Sequence, residues 1–133
     1  MKGFVTAIEE VTLENEDFRR VLYTAPHCQL VLMCIPAETD IGEEVHEDGD
    51  QFIRIEEGEG KAVIDGAETM LTDGTVVIVP AGVRHNIINT SPGEALKLYT
   101  LYAPSHHKDG TVHRTKEEAE KDEAHFDGAV SLG

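Results

Sequence analysis

No run of about twenty apolar residues occurs anywhere in this chain, so no segment reads as a membrane-spanning helix. The N-terminus, Met1-Lys2-Gly3-Phe4, has no apolar run of the signal-peptide kind, and the expected location is the cytoplasm. Basic residues are scarce: 11 Lys and Arg face 26 Asp and Glu, a formal charge of −15. No basic patch can offset that charge, which excludes nucleic acid and anionic membranes as partners. Cysteine is limited to Cys28 and Cys34, six residues apart on one strand-like run. That separation is roughly 20 Å along a strand, too far for a mutual disulfide, so both read as reduced buried thiols. Gly-rich phosphate loops and the Gly-x-Ser-x-Gly nucleophile elbow are absent, as are internal repeats and low-complexity linkers. No helix-length periodicity precedes residue 110.

What is present is a series of short β-rich runs. Val21 to Ala25, Cys28 to Pro36, Gln51 to Glu57, Lys61 to Asp65, Thr75 to Pro80, His85 to Asn89 and Ala95 to Ala103 all read as strands. Turn dipeptides separate several of them, notably Asp48-Gly49, Asp65-Gly66 and Asp73-Gly74. Such spacing in 133 residues predicts one all-β domain, a sandwich or barrel large enough to bury a core. The expected barrel is residues 1–103, which carry 7 basic and 19 acidic side chains. Solubility of a sheet-rich protein accounts for most of that charge; attraction of cations is the functional reading. Residues 104–133 form a loop followed by a short helix from Thr115, capped by Thr115 with Glu118 three residues on. This tail is expected to pack on the barrel through Ala119 and Phe126, or on a partner subunit, with Gly128 to Gly133 frayed.

Two segments carry the chemistry. In the first, Gly74-Thr-Val-Val-Ile-Val-Pro80-Ala-Gly82-Val-Arg-His85-Asn-Ile-Ile-Asn89, a strand ends at a Pro-x-Gly turn and His85 opens the next strand. In the second, Gly42 to Gly58, Glu44 and His46 lie two apart and share a face, and Gln51 opens the following strand on the face of Ile53 and Ile55. Together they resemble the paired motifs of the cupin superfamily. The pattern Gly-x5-Pro-x-Gly-x2-His-x3-Asn is matched at Gly74, Pro80, Gly82, His85 and Asn89. The partner pattern, Gly-x5-His-x-His-x3,4-Glu-x6-Gly, is matched at His46 and Gly58. Glu44 stands at its first histidine, Gln51 at its glutamate, and Gly42 lies closer to the pair than the pattern asks. The fifteen residues between the motifs, 59–73, suit a single barrel.

The resemblance implies a jelly-roll-like double-stranded β-helix and a divalent metal at Glu44, His46, Gln51 and His85. Two imidazoles, a carboxylate and an amide carry the same charge as the family's three histidines and one glutamate. The added oxygen favours manganese, iron or zinc over copper or nickel. The residue types also resemble the zinc shell of phosphomannose isomerases, in a different order. The alternative is a metal-free barrel in which Glu44 and Gln51 line a polar pocket for an organic ligand.

The function implied is an enzyme acting on a small oxygenated metabolite, of isomerase, decarboxylase or dioxygenase type. Glu44 or a water on the metal would be its general base, and the Tyr102 hydroxyl is expected near the pocket. The alternative is a non-catalytic sensing or storage module for a small molecule or metal. Along the last strand Leu96, Leu98, Thr100 and Tyr102 are expected to face inward, while Arg54 and Lys97 face outward and leave the interior without an evident cationic clamp for phosphate; only Arg84, beside the turn, is placed to reach a phosphate. His106, His107, His113 and His125 match no zinc spacing and read as exposed tail residues. Asp48 and Asp50 read as a solvated turn, since no later bidentate glutamate completes a calcium loop. A homodimer is expected, with Phe4 to Ile8 as an N-terminal strand able to pair across subunits.

Overall fold

The computed structural model describes residues 2–132. In chain order the elements are α1 (Ile8–Glu14), β1 (Arg19–Thr24), β2 (Gln29–Ile35), β3 (Asp50–Glu57), β4 (Gly60–Ile64), β5 (Ala67–Leu71), β6 (Val76–Val79), β7 (His85–Asn89), β8 (Leu96–Ala103), β9 (Val112–His113) and α2 (Lys116–Lys121). The strands form two antiparallel sheets, ordered β6-β3-β8-β2-β1-β9 and β5-β4-β7. Phe18, Met33, Ile35, Ile53, Ile55, Leu96 and Leu98 from the larger sheet share one core with Ala62, Leu71 and Ile87 from the smaller. The result is the expected jelly-roll barrel.

Period-two alternation decides what faces inward. On β8, Leu96, Leu98, Thr100 and Tyr102 are buried while Lys97, Tyr99 and Leu101 are only half-buried. On β3 the inward set is Gln51, Ile53 and Ile55, and on β7 it is His85, Ile87 and Asn89. Each fully buried Leu or Ile contributes about 2 kcal/mol of hydrophobic stabilisation, so these rows hold the barrel closed. The pairing of Ile55 with Leu98, Ile53 with Thr100 and Gln51 with Tyr102 grades the interior from apolar at one end to polar at the other. Arg54 points outward, as expected, onto Glu56 at 2.9 Å.

Three segments depart from the sequence expectation. Phe4 to Ile8 is not a strand: α1 begins at Ile8, and Phe4 instead stacks on Tyr23 at 5.0 Å between ring centroids. This helix has no side-chain N-cap and buries only Thr12, so a short local pattern was a weak signal. Its last turn is held by the outward-pointing Lys97, which donates to the Leu13 carbonyl, and by the Asx turn of Asn15 on Asp17. β5 is almost wholly exposed and lacks strand-like composition, yet it pairs with β4. The turn Asp65-Gly66, with φ of 50° and 83°, has the left-handed pair that folds a two-residue hairpin. Residues 128–132 are tied to β1: Ser131 N–H donates to the Thr24 carbonyl at 2.9 Å, and Thr24 N–H donates to Ser131 Oγ at 2.8 Å. Gly133, expected to fray with them, lies outside the described residues.

α2 keeps the predicted cap, with Thr115 Oγ1 accepting from Glu118 N–H at 3.2 Å, and Ala119 packs on the core. Cys28 and Cys34 are free thiols, half-buried rather than buried. Among the described residues no helix is long and apolar enough to cross a membrane.

Candidate metal centre

The turn after β6 is a template for the polar end of the barrel. Gly82, at φ 82°, donates its N–H to the His46 carbonyl at 2.9 Å. His85 and Glu44 exchange both backbone hydrogen bonds, at 2.8 and 2.9 Å. In an antiparallel pair of this kind the two side chains project from the same face. Asp50 adds a hydrogen bond to Ala81 N–H at 2.9 Å, and Arg84 an ion pair to Glu43 at 2.6 Å; Arg84 thus stays outside the interior. Glu44 and His46 are therefore delivered by an extended loop stitched to the turn, rather than by a regular strand.

The motif's final residue has a different task. Asn89, 1% exposed, donates from Nδ2 to the carbonyls of Ile35, Pro36 and Glu94 and accepts from Ser91 N–H. Those bonds satisfy buried backbone at the apolar end, which makes Asn89 a residue of the fold and not of the site.

Glu44, His46 and His106 bring one ligand atom each within 4.8 Å of one another. His46 Nε2 is buried without a hydrogen-bond partner and lies 3.4 Å from Glu44 Oε2. Burial, reinforced by His106, His85 and Arg19, pushes the His46 pKa down to about 4, so its imidazole is neutral with a lone pair available. The same causes hold His106 below the ordinary histidine range: burial first, then His125 and Arg19. Burial raises the Glu44 carboxyl, against the opposing effects of Arg19 and His85. His85 sits beside this triad, its ring centroid 5.3 Å from that of His46. Its Nδ1–H donates to the Val83 carbonyl at 3.0 Å, a contact that orients the ring and frees Nε2 from that bond. Gln51 donates from Nε2 to Thr100 Oγ1 at 3.0 Å, while its Oε1 is buried with no partner. Tyr102 stands edge-on to His46 at 5.6 Å, and burial with Glu44 nearby raises its hydroxyl pKa and keeps it protonated.

His106 is the residue that sequence reasoning set aside. Gln29, fully buried, grips its backbone: Oε1 accepts from His106 N–H at 3.3 Å and His107 N–H at 2.9 Å, and Nε2 donates to the His107 carbonyl at 2.7 Å. Ser105 Oγ donates to the Ala25 carbonyl at 2.9 Å, and Phe126 N–H donates back to the His106 carbonyl at 3.0 Å. The tail is thereby folded over the barrel mouth. Of its four histidines, His107 and His113 are buried and His106 half-buried; only His125 is exposed. No local signal marked His106: β8 ends at Ala103, Pro104 is exposed and Ser105 buried, so the strand alternation does not carry through to it.

Two cavities flank His106. One, of about 320 Å³, is lined by His46, Tyr102 and Phe126, and another, of about 200 Å³, by Arg19, Glu44, His107 and His113. Arg19 corrects the expectation of an interior without a cation: it is 7% exposed and lines the second cavity.

Fold and site define a small double-sheeted β-barrel with a histidine–carboxylate cluster at its mouth. The profile of the Cupin domain matches residues 31–102, and the chain belongs to that family. It is 43% identical over 124 residues to the uncharacterized protein YrkC of Bacillus subtilis strain 168, covering 89% of this chain and 66% of that protein. An uncharacterized protein of Acanthamoeba polyphaga mimivirus is 44% identical over 112 residues, covering 82% of this chain and 70% of that one. The chain thus spans about two thirds of the length of these relatives. The crystal structure of BH2720 from Bacillus halodurans superposes with a TM-score of 0.89 at 41% identity, covering 91% of this chain and 96% of that chain.

Proposed function

We propose that this chain is a divalent-metal cupin enzyme acting on a small oxygenated metabolite, of isomerase, decarboxylase or dioxygenase type. The observation that carries the reading is His46 Nε2: buried, on a neutral ring and without a hydrogen-bond partner, beside Glu44 and His106. A buried polar atom left without a partner costs about 1–3 kcal/mol, which a bound cation would recover. Glu44, His46 and His106 would hold manganese, iron or zinc, with His85 as the neighbouring fourth donor. Three imidazoles and one carboxylate then make up the donor set, so His106 supplies the histidine that Glu44 displaced from the first motif. Gln51, a ligand in the sequence reading, moves to a supporting role, its Nε2 held by Thr100 Oγ1.

When bound, such a cation supplies Lewis-acid polarisation of a carbonyl or enediolate oxygen. The chain's own groups do the rest. Tyr102, kept protonated, can donate a hydrogen bond to a ligand oxygen, and a Glu44 carboxylate oxygen can accept a proton. The tail over the mouth restricts access of water to the cluster.

The test is metal analysis of protein purified without chelator, with wild type expected near one equivalent and His46→Ala and His106→Ala depleted. Metal-free wild type that cannot be reconstituted would refute the reading. Turnover of keto acids, sugar phosphates and catechols by the loaded protein then separates an enzyme from a storage or sensing module, which binds without converting.

A further inference from the structure

The cavity of about 200 Å³ beside the metal cluster contains one charged side chain, Arg19, that makes no close polar contact of its own among the described residues. Its other charged groups each have a close polar contact: Lys116 with Asp40 at 2.5 Å and Glu120 at 4.0 Å, Asp122 with His113 at 2.8 Å, and Glu44 with His46 at 3.4 Å; Glu44 also feels the charge of Arg19 without an ion pair to it. Arg19, in contrast, makes no ion pair or side-chain hydrogen bond among the described residues, and its Nε is buried without a partner. Its position is not accidental slack. The backbone of Arg19 is pinned between Met33 on β2 and His113 on β9, while the next residue, Arg20, points outward onto Asp17 at 3.4 Å. In a chain of charge −15 with many acidic partners to choose from, the fold turns a guanidinium inward and leaves it unpaired. Burying such a group costs several kcal/mol, a cost that an incoming anion offsets.

We propose that Arg19 is the anion-binding residue of this site and that the ligand is a small 2-oxo or 2-hydroxy carboxylate. Its carboxylate would lie on the guanidinium and its adjacent oxygen would face Glu44, His46 and His106; that orientation rests on the metal reading above. The planar fork of one guanidinium matches a carboxylate with two parallel hydrogen bonds, and a cavity of about 200 Å³ that also carries the Glu44, Glu120 and Asp122 carboxylates disfavours a dianion such as phosphate.

The test uses pyruvate, lactate, glyoxylate and glycolate as probes, with methyl pyruvate as neutral control and inorganic phosphate as competitor, in calorimetric titrations of metal-stripped and metal-loaded protein. At least one carboxylate is expected to bind, with methyl pyruvate weaker and Arg19→Gln weakening the carboxylate by about ten- to a hundredfold, the loss of one charge-assisted pair. Arg19→Lys should recover part of this, because it restores charge without the fork. The wild-type Arg19 ¹⁵Nε resonance, expected to shift on adding the carboxylate, gives a readout that does not depend on any variant folding. Equal binding by wild type and a folded Arg19→Gln variant, an unmoved Nε resonance, or no binding by any probe overturns the proposal. Phosphate binding through Arg19 more tightly than every carboxylate overturns the ligand class. The ratio between wild type and Arg19→Gln is read in stripped protein as well, so a protein that holds no metal refutes the metal reading while leaving this one measurable.

Discussion

Gln29 touches no candidate ligand side chain, yet its replacement should disable the site. Its amide makes four hydrogen bonds: one donated to Thr24 Oγ1 at 2.9 Å and three to the backbone of His106 and His107. Gln29→Leu keeps roughly the same volume and removes all four. Each bond is worth about 1 kcal/mol net, and the buried partners left behind add desolvation, giving a loss of about 3–5 kcal/mol. Three of the four bonds hold the segment presenting His106, so that segment should loosen ahead of the barrel. Urea unfolding measures the stability change, hydrogen exchange the amides of His106 and His107, and metal titration the affinity. Faster exchange at both amides and metal affinity lower by about ten- to a hundredfold, the usual cost of losing a ligand's supporting contacts, are expected. A variant that loses less than about 1 kcal/mol with both amides still protected would refute the argument that Gln29 positions His106.

Other perturbations separate fold from site. Asn89→Ala should cost about 2–4 kcal/mol in urea unfolding, because three carbonyls and one N–H lose their partner, while metal content per folded molecule stays at the wild-type level. Stability should fall with acid: His46 has its pKa lowered from an ordinary 6.5 to about 4 by burial, so the unfolded chain takes up a proton that the folded chain refuses. That contribution is fully present above pH 6.5 and is lost as pH falls through about 4; thermal melts of metal-stripped protein that do not change across this window would contradict it. Thr115→Ala should cost about 1 kcal/mol, the value of an N-cap, and raise protease sensitivity of residues 116–121 without altering the β-sheet signal in circular dichroism.

Much of the barrel was legible because strand information is local. The inward rows of β3, β7 and β8 follow from period two, and the turn at Pro80 to Gly82 announces itself through residues with few alternatives. β5 was missed because its exposed side chains carry no burial pattern and the pairing with β4 alone makes it a strand. α1 was missed because seven residues with one buried side chain leave almost no periodic signal.

The site divides along the same line. From sequence alone came the family barrel, the shared face of Glu44 and His46, and the inward direction of Gln51, His85 and Tyr102, since each depends on parity next to a recognisable turn. Only the tertiary structure could add His106 and Arg19. His106 reaches the cluster because Gln29, some eighty residues earlier, holds its backbone over the mouth. Arg19 stands out because it lines a cavity without an ion pair or side-chain hydrogen bond among the described residues. A candidate ligand presented by a folded-back tail and a charge without a close contact are relations between distant residues, and no local pattern encodes them.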